Sequence, residues 1–251
     1  MMHRLLLPRV LRLWPLVITL TIGAGSVHAQ TPPSFAALHQ RFVAAVGGRE
    51  ALAAHSSLHM RGTLTLEGMA GTIDIWRDRT GRFRQRTTLE GVGEVQQGFD
   101  GRRGWTIQPS GPALLDGDLE AGVRRQADWY GDITAPPEAE RAIVDASSFE
   151  GEASWRATFV SAEGPEVSMH FSQATGRKLG YRTTTPMGES TSVLGEYKLF
   201  DGVMLPTKLI NRIPQGEVFI TITTVEWDRV DAERFALPPE IRALLGGGTS
   251  Y

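Results

Sequence analysis

The chain has no cysteine among its 251 residues. That excludes a disulfide framework, a cysteine-ligated zinc or iron–sulfur site, a thiol nucleophile and a lipid-modified N-terminal cysteine. Net charge is nearly absent too, with 26 Lys+Arg against 28 Asp+Glu, so there is no electrostatic footprint for nucleic acid. Lysine is scarce: Lys178, Lys198 and Lys208 are the only three, and Asn211 is the only asparagine. The codon bias of a GC-rich genome explains this before arginine-based anion recognition does. No apolar run is long enough to cross ~30 Å of hydrocarbon as a helix. Glycine, by contrast, is abundant at 28 residues, above the usual ~7%. Tight turns, and hence a mainly β chain, are the expectation. With 41% hydrophobic and 22% charged residues the chain is globular rather than disordered.

Residues 1–29 read as a secretory signal peptide. Arg4, Arg9 and Arg12 form a positive start, Leu13 to Ile22 a short apolar core, and Val27-His28-Ala29 a small-residue cleavage site before Gln30. An uncleaved anchor is the rival reading. Cleavage leaves 222 residues with a formal charge of -5, an exported and soluble protein. In a two-membrane bacterium its destination is the periplasm. One domain over 30–245 and a mobile tail over 246–251 complete the plan.

Phe35, Leu38, Phe42 and Ala45 recur at helical spacing after Pro32-Pro33. Beyond them the period changes to two. Leu58, Met60, Leu64 and Leu66 alternate with polar residues, as do Ile73 and Ile75, Phe83 to Leu89, Val95 to Phe99, and Trp105 with Ile107. Glu67-Gly68, Thr80-Gly81 and Asp100-Gly101 punctuate them, which is the signature of an antiparallel meander. A helical segment over 118–130, carrying Leu119, Val123, Ala127 and Tyr130, interrupts it. Strands then resume through Trp155, Phe171, Tyr181, Val193, Leu209 and the long run Val218 to Trp227, about eleven in all. Alternation gives one wet and one dry face. A sheet this wide must curl, close or split. Two helices fill the concavity of such a sheet less tightly than a second sheet would, so a partly open apolar cavity and a well-packed sandwich both remain open.

Catalytic signatures are missing: no G-x-S-x-G elbow, no H-E-x-x-H, no P-loop and no dinucleotide fingerprint. His55 and His59 have the spacing of two metal ligands on a helix, but the second lies in strand pattern. They read as exposed polar residues at a junction, and no metal or cofactor is expected. Asp116/Asp118, Asp128/Asp132 and Glu150/Glu152 read as solvated turn or helix-surface acids rather than a glycosidase dyad. Trp76, beside Arg77 and Asp78, reads as surface. Trp129 stands out as a contact on a movable lid.

Taken in order, several segments resemble one known family. They are Val46-Gly47-Gly48-Arg49-Glu50-Ala51-Leu52, Gly98-Phe99-Asp100-Gly101-Arg102-Arg103-Gly104-Trp105, Phe200-Asp201-Gly202-Val203-Met204-Leu205-Pro206, Val225-Glu226-Trp227 and Phe235-Ala236-Leu237-Pro238. Over 34–240 the chain resembles the outer-membrane lipoprotein-sorting superfamily (LolA/LolB/LppX-like). The resemblance implies a mainly β (α+β) fold: a strongly curved antiparallel half-barrel with helices covering its concave face. It implies a non-enzymatic, carrier-like periplasmic protein that holds lipid or lipoprotein acyl chains. An arginine inside the cavity would hold the lid closed, and Arg77 or Arg84 could take that place. The expected cavity lining is Leu64, Leu66, Ile75, Phe83, Leu89, Trp105, Phe171 and Tyr181, with Val123 and Trp129 on the lid. The protein is expected to be a monomer, with an envelope protein as a possible partner. The rivals are a scaffold subunit with a filled core and a periplasmic hydrolase, for which His170 is the one mid-sheet histidine.

Overall fold

The structure, a computed structural model, describes residues 31–129, 131, 141–159, 166–185, 188–214 and 216–246. The signal peptide, Tyr130, Asp132, Pro136-Pro137 and nearly all of the expected tail lie outside them.

Helix α1 (Phe35–Ala45) opens on Ser34, whose hydroxyl accepts the Ala37 N–H at 3.2 Å and caps the first turn. Its buried face is Phe35, Leu38 and Phe42, the residues of the 3–4 spacing. The chain leaves it through Gly47 at φ 108° into the short α2 (Gly48–Ala53).

Strands β1 (Ser57–Leu66), β2 (Met69–Asp78), β3 (Phe83–Leu89), β4 (Gly93–Phe99), β5 (Gly104–Gln108) and β6 (Gly111–Leu114) form a first meander. After α3 (Gly117–Ala127), a second comprises β7 (Ile143–Phe149), β8 (Glu152–Phe159), β9 (Glu166–Ser172), β10 (Lys178–Thr185), β11 (Gly188–Phe200), β12 (Val203–Ile213) and β13 (Gly216–Trp227). A 3-10 turn (Ala232–Phe235) and α4 (Pro239–Gly246) end the described chain. Acid–glycine pairs close several hairpins. Glu67-Gly68, Glu150-Gly151 and Asp201-Gly202 each place two residues at positive φ, the type I′ geometry whose twist matches that of the strands.

The thirteen strands form one open antiparallel sheet in the order 6-5-4-3-2-1-13-12-11-10-9-8-7. The two meanders join through β1 and β13, and β6 and β7 are the free edges. This is the mainly β half-barrel expected, with more strands than the eleven counted. The two strands hidden from the count are the edges: β6, four residues with Pro112 and no alternation, and β7, whose Asp145, Ser147 and Ser148 leave it mostly polar.

Register fixes which residues share a face. One row runs Leu66, Val218, Asn211, Ser192, Tyr181, Met169, Ala157, Val144 across β1, β13 and β12 to β7. Ala157, Met169 and Val144 pack on α1 with Phe35, Leu38, Phe42, Trp155, Phe159 and Phe171. On the other side, Leu58, Arg77, Phe83 and Phe99 line up across β1 to β4. Phe83 and Phe99 pack on Val123 and Ala127 of α3. Both helices therefore cover the same, concave face. α3 follows edge strand β6 and packs on β5, β4 and β3.

Candidate functional site: the concave face and its cavity

Between α1–α2 and the end of α3 lies an apolar cavity of about 100 Å³. Phe42, Leu52, Leu58, Trp129, Val203 and Trp227 form much of its wall, and Arg77 and Lys178 bring charge to it. Trp129, just past α3, meets Trp227 edge-on at 6.1 Å and is 7% exposed. Lys178 sets its ammonium 4.9 Å from the Phe42 ring centre, so the cation is held against aromatic surface.

The helical side of the cavity is tied to the sheet by the glycine pair. Gly47 packs on the β11–β12 hairpin so closely that a Cβ would lie 2.2 Å from the Gly202 carbonyl oxygen. The Met204 N–H donates to the Val46 carbonyl at 3.0 Å. Two segments singled out in the sequence, 46–52 and 200–206, thus meet.

The residues expected to line the cavity fall into four groups. Trp129 lines it. Phe83 is buried beneath α3 against that helix's own Val123, and Phe171 is buried beneath α1. Ile75 is half-buried beside the α3 cluster. Leu64, Leu66, Leu89 and Tyr181 share the concave face, but lie toward the other end of the strands. Eight residues separate Leu58 at the cavity from Leu66, roughly 25 Å of strand. Leu64 is buried, Leu66 and Leu89 are half-buried, and Tyr181 is 39% exposed.

Trp105 goes elsewhere. It pairs with Gly98, and the missing Gly98 side chain makes room for its indole, which a Cβ would meet at 2.5 Å. Gly98 pairs in turn with Arg84, opposite in parity to Phe83, so Trp105 faces outward. The expectation failed because the outer face is apolar and covered there as well. The 3-10 turn packs on β3 and α4 on β6, so parity does not reveal which side is inside.

No family model matches the sequence, and no curated protein matches it. Solved structures do match. A DUF1329 family protein from Desulfovibrio piger superposes with a TM-score of 0.54 at 10% identity, over 82% of this chain and 98% of its own. A LolA superfamily protein from Nitrosomonas europaea gives 0.51 at 14% identity, again over 82% and 98%. The chain shares the fold of this LolA superfamily protein.

Within this LolA-type fold the two candidate arginines separate. Arg77 lies on the concave face and lines the cavity with Trp129. Arg84 lies on the outer face, donating to the Arg234 carbonyl at 3.1 Å and to Gln96 at 2.6 Å.

The histidines expected to be exposed are both buried. His55 sits against Asp228. His59 lies between Asp74 at 2.9 Å and Glu226 at 3.3 Å. The two rings therefore face different carboxylates and do not converge. Trp76, read as surface, is 5% exposed beneath the His59 ring.

His170 does approach a serine, with Ser154 Oγ 3.4 Å from its Nδ1. Both are at most 2% exposed and lie on the outer face, and the Phe149 ring stacks on the imidazole at 4.4 Å. Burial, then the Arg182 and Arg156 charges, push His170 down to about 4. The pair is sealed off, away from the cavity. Of the acid pairs, Glu150 is bonded to Arg212 at 2.8 Å, and Asp116 precedes the first turn of α3, which carries Asp118. Neither lines the cavity.

Proposed function

We propose that the protein is a periplasmic, carrier-like protein that holds acyl chains of a lipid or lipoprotein on its concave face. The observation that carries the reading is the apolar strip that leaves the cavity at Leu58. It continues through Met60, Leu64 and Leu66, flanked by Ile220 and Val218, for roughly 25 Å. One leaflet of a bilayer is about half of the ~30 Å hydrocarbon core, so the strip exceeds one acyl chain. No group need be chemically transformed, and apolar burial suffices. A dozen methylenes at ~0.8 kcal/mol each supply roughly 10 kcal/mol.

The cavity itself, at about 100 Å³, is smaller than the ~150 Å³ that holds benzene in an engineered core. Loading therefore requires α3 and Trp129 to lift. The same small volume favours the second reading, a scaffold subunit with a filled core. Lipid extraction and native mass spectrometry of the protein purified from its own host separate the two. Co-purifying lipid, displaced by a fluorescent fatty acid, supports the carrier. Neither lipid nor probe uptake establishes the scaffold.

A further inference from the structure

A second cleft lies on the opposite, outer face, between β1–β3 with β13 and the segment that follows β13. Its volume is about 560 Å³, inside the ~300–1,000 Å³ range of small-ligand sites. Trp76 forms its base, with the Arg234 guanidinium 4.9 Å and that of Arg86 5.6 Å from the indole.

Its charges do not cancel. Asp74 takes bonds from His59 at 2.9 Å and Arg86 at 2.8 Å, with Arg61 at 3.4 Å. Glu226 is shared between His59 and Arg61. Asp231 accepts the Glu233 N–H in its own turn. Those partners leave Arg229 and Arg234 with no carboxylate within 4 Å among the described residues, while both line the cleft. Arg84, alongside, donates only to a carbonyl and an amide. Its pKa is lowered by burial first, then by the charges of Arg234 and Arg86. Arg61, Arg86, Arg229 and Arg234 thus line the cleft, with Arg84 alongside; Arg61 and Arg86 pair with carboxylates there, and Arg229 and Arg234 do not among the described residues.

We propose that this cleft binds the oxyanion of a small molecule, a carboxylate or phosphate, between the guanidiniums of Arg229 and Arg234. Arginine's planar fork takes either group bidentately. The cleft is on the other face from the acyl strip, so the proposal does not rest on the carrier reading.

The test is a titration of the full mature chain with inorganic phosphate and with citrate at constant ionic strength, followed by arginine Nε–H NMR signals. Saturable shifts confined to Arg229, Arg234 and Arg84 are expected. Arg229→Ala, at an exposed side chain with no ion pair among the described residues, should weaken binding about tenfold, and R229A/R234A should abolish it. R212A, at the distant Glu150/Glu217 pairs, should change nothing. Phosphatidylglycerol vesicles form the second arm. Vesicle binding that phosphate competes and R229A/R234A abolishes assigns the oxyanion to a lipid headgroup and upholds the site. Vesicle binding indifferent to the double variant, or no saturable shift with either soluble anion, overturns it.

Discussion

His55 and Asp228, 173 positions apart, form one bonded unit at the base of the central strands. The His55 Nδ1 lies 2.9 Å from the Asp228 carboxylate, and its ring stacks on Trp227 at 4.2 Å. Asp228 also accepts the Ser56 N–H and hydroxyl, and His55 Nε2 lies 3.2 Å from the Asp201 carbonyl. The unit joins α2, β1, β13 and the β11–β12 hairpin.

A pH dependence of stability follows from that unit. Burial alone would lower His55, but the bonds to Asp228 and to the Asp201 carbonyl outweigh it and raise its pKa above 6.5. A raised folded pKa means that the stabilisation is fully present below pH 6.5 and is lost as pH rises through the folded value. Burial would raise Asp228, yet its bonds from His55, Ser56 and Ser57 hold it well below the usual carboxylate range. Its contribution is therefore present from above pH 3.8 and is lost only in strong acid. Urea unfolding from pH 5 to 9 should show wild type losing stability toward pH 9 relative to His55→Gln. Parallel pH curves for the two would refute this.

His170 should act in the opposite sense. Its folded pKa of about 4 lies below the ordinary 6.5, so the unfolded chain takes the proton first, and stability falls from pH 6.5 toward 4. His170→Gln should flatten that acid limb. Ser154, fully buried beside it, should resist a fluorophosphonate probe in the native state and react no faster than an ordinary serine when unfolded. Rapid native labelling would restore the hydrolase reading.

Gly47 and Gly48 should differ sharply on substitution. Gly47→Ala meets both a positive φ and a carbonyl oxygen at 2.2 Å, and should cost roughly 3 kcal/mol or more. Gly48→Ala, at φ 84° with open space around it, should cost only ~1–2 kcal/mol. Urea midpoints compare them, and equal losses would mean that the α1–α2 junction does not press on the hairpin.

Loosening α3 should speed loading. Val123, 4% exposed, ties α3 to Phe83 and Phe99. Val123→Ala should weaken that contact by roughly 1–3 kcal/mol and raise the stopped-flow uptake rate of a fluorescent fatty acid. Leu119→Ala, on the exposed side of α3, should leave the rate unchanged.

Local chemistry made much of this legible in sequence. Alternation placed the strands, and acid–glycine pairs such as Asp201-Gly202 marked the hairpins. The 3–4 spacing of Phe35, Leu38 and Phe42 gave the buried stripe of α1. The failures share a non-local cause. Trp105 was misassigned because its outer face is covered by residues more than a hundred positions later. His55 and His59 looked exposed because the carboxylates that bury them comfortably, Asp228 and Glu226, arrive at the end of the sheet. The α4 helix has no counterpart in the sequence reading; Pro239 occupies its first helical position, where a missing N–H costs nothing.

The pairing of β1 with β13, which sets Leu58 opposite Trp227, has a consequence for how the chain folds. Each meander can close its hairpins as soon as neighbouring strands exist. The seam between them can form only after the thirteenth strand has been made, and closing so long a loop is slow. A polypeptide threaded through a membrane from its first residue would stay incompletely folded until nearly all of it had passed. The strand order itself thus postpones that seam until the last strand has arrived.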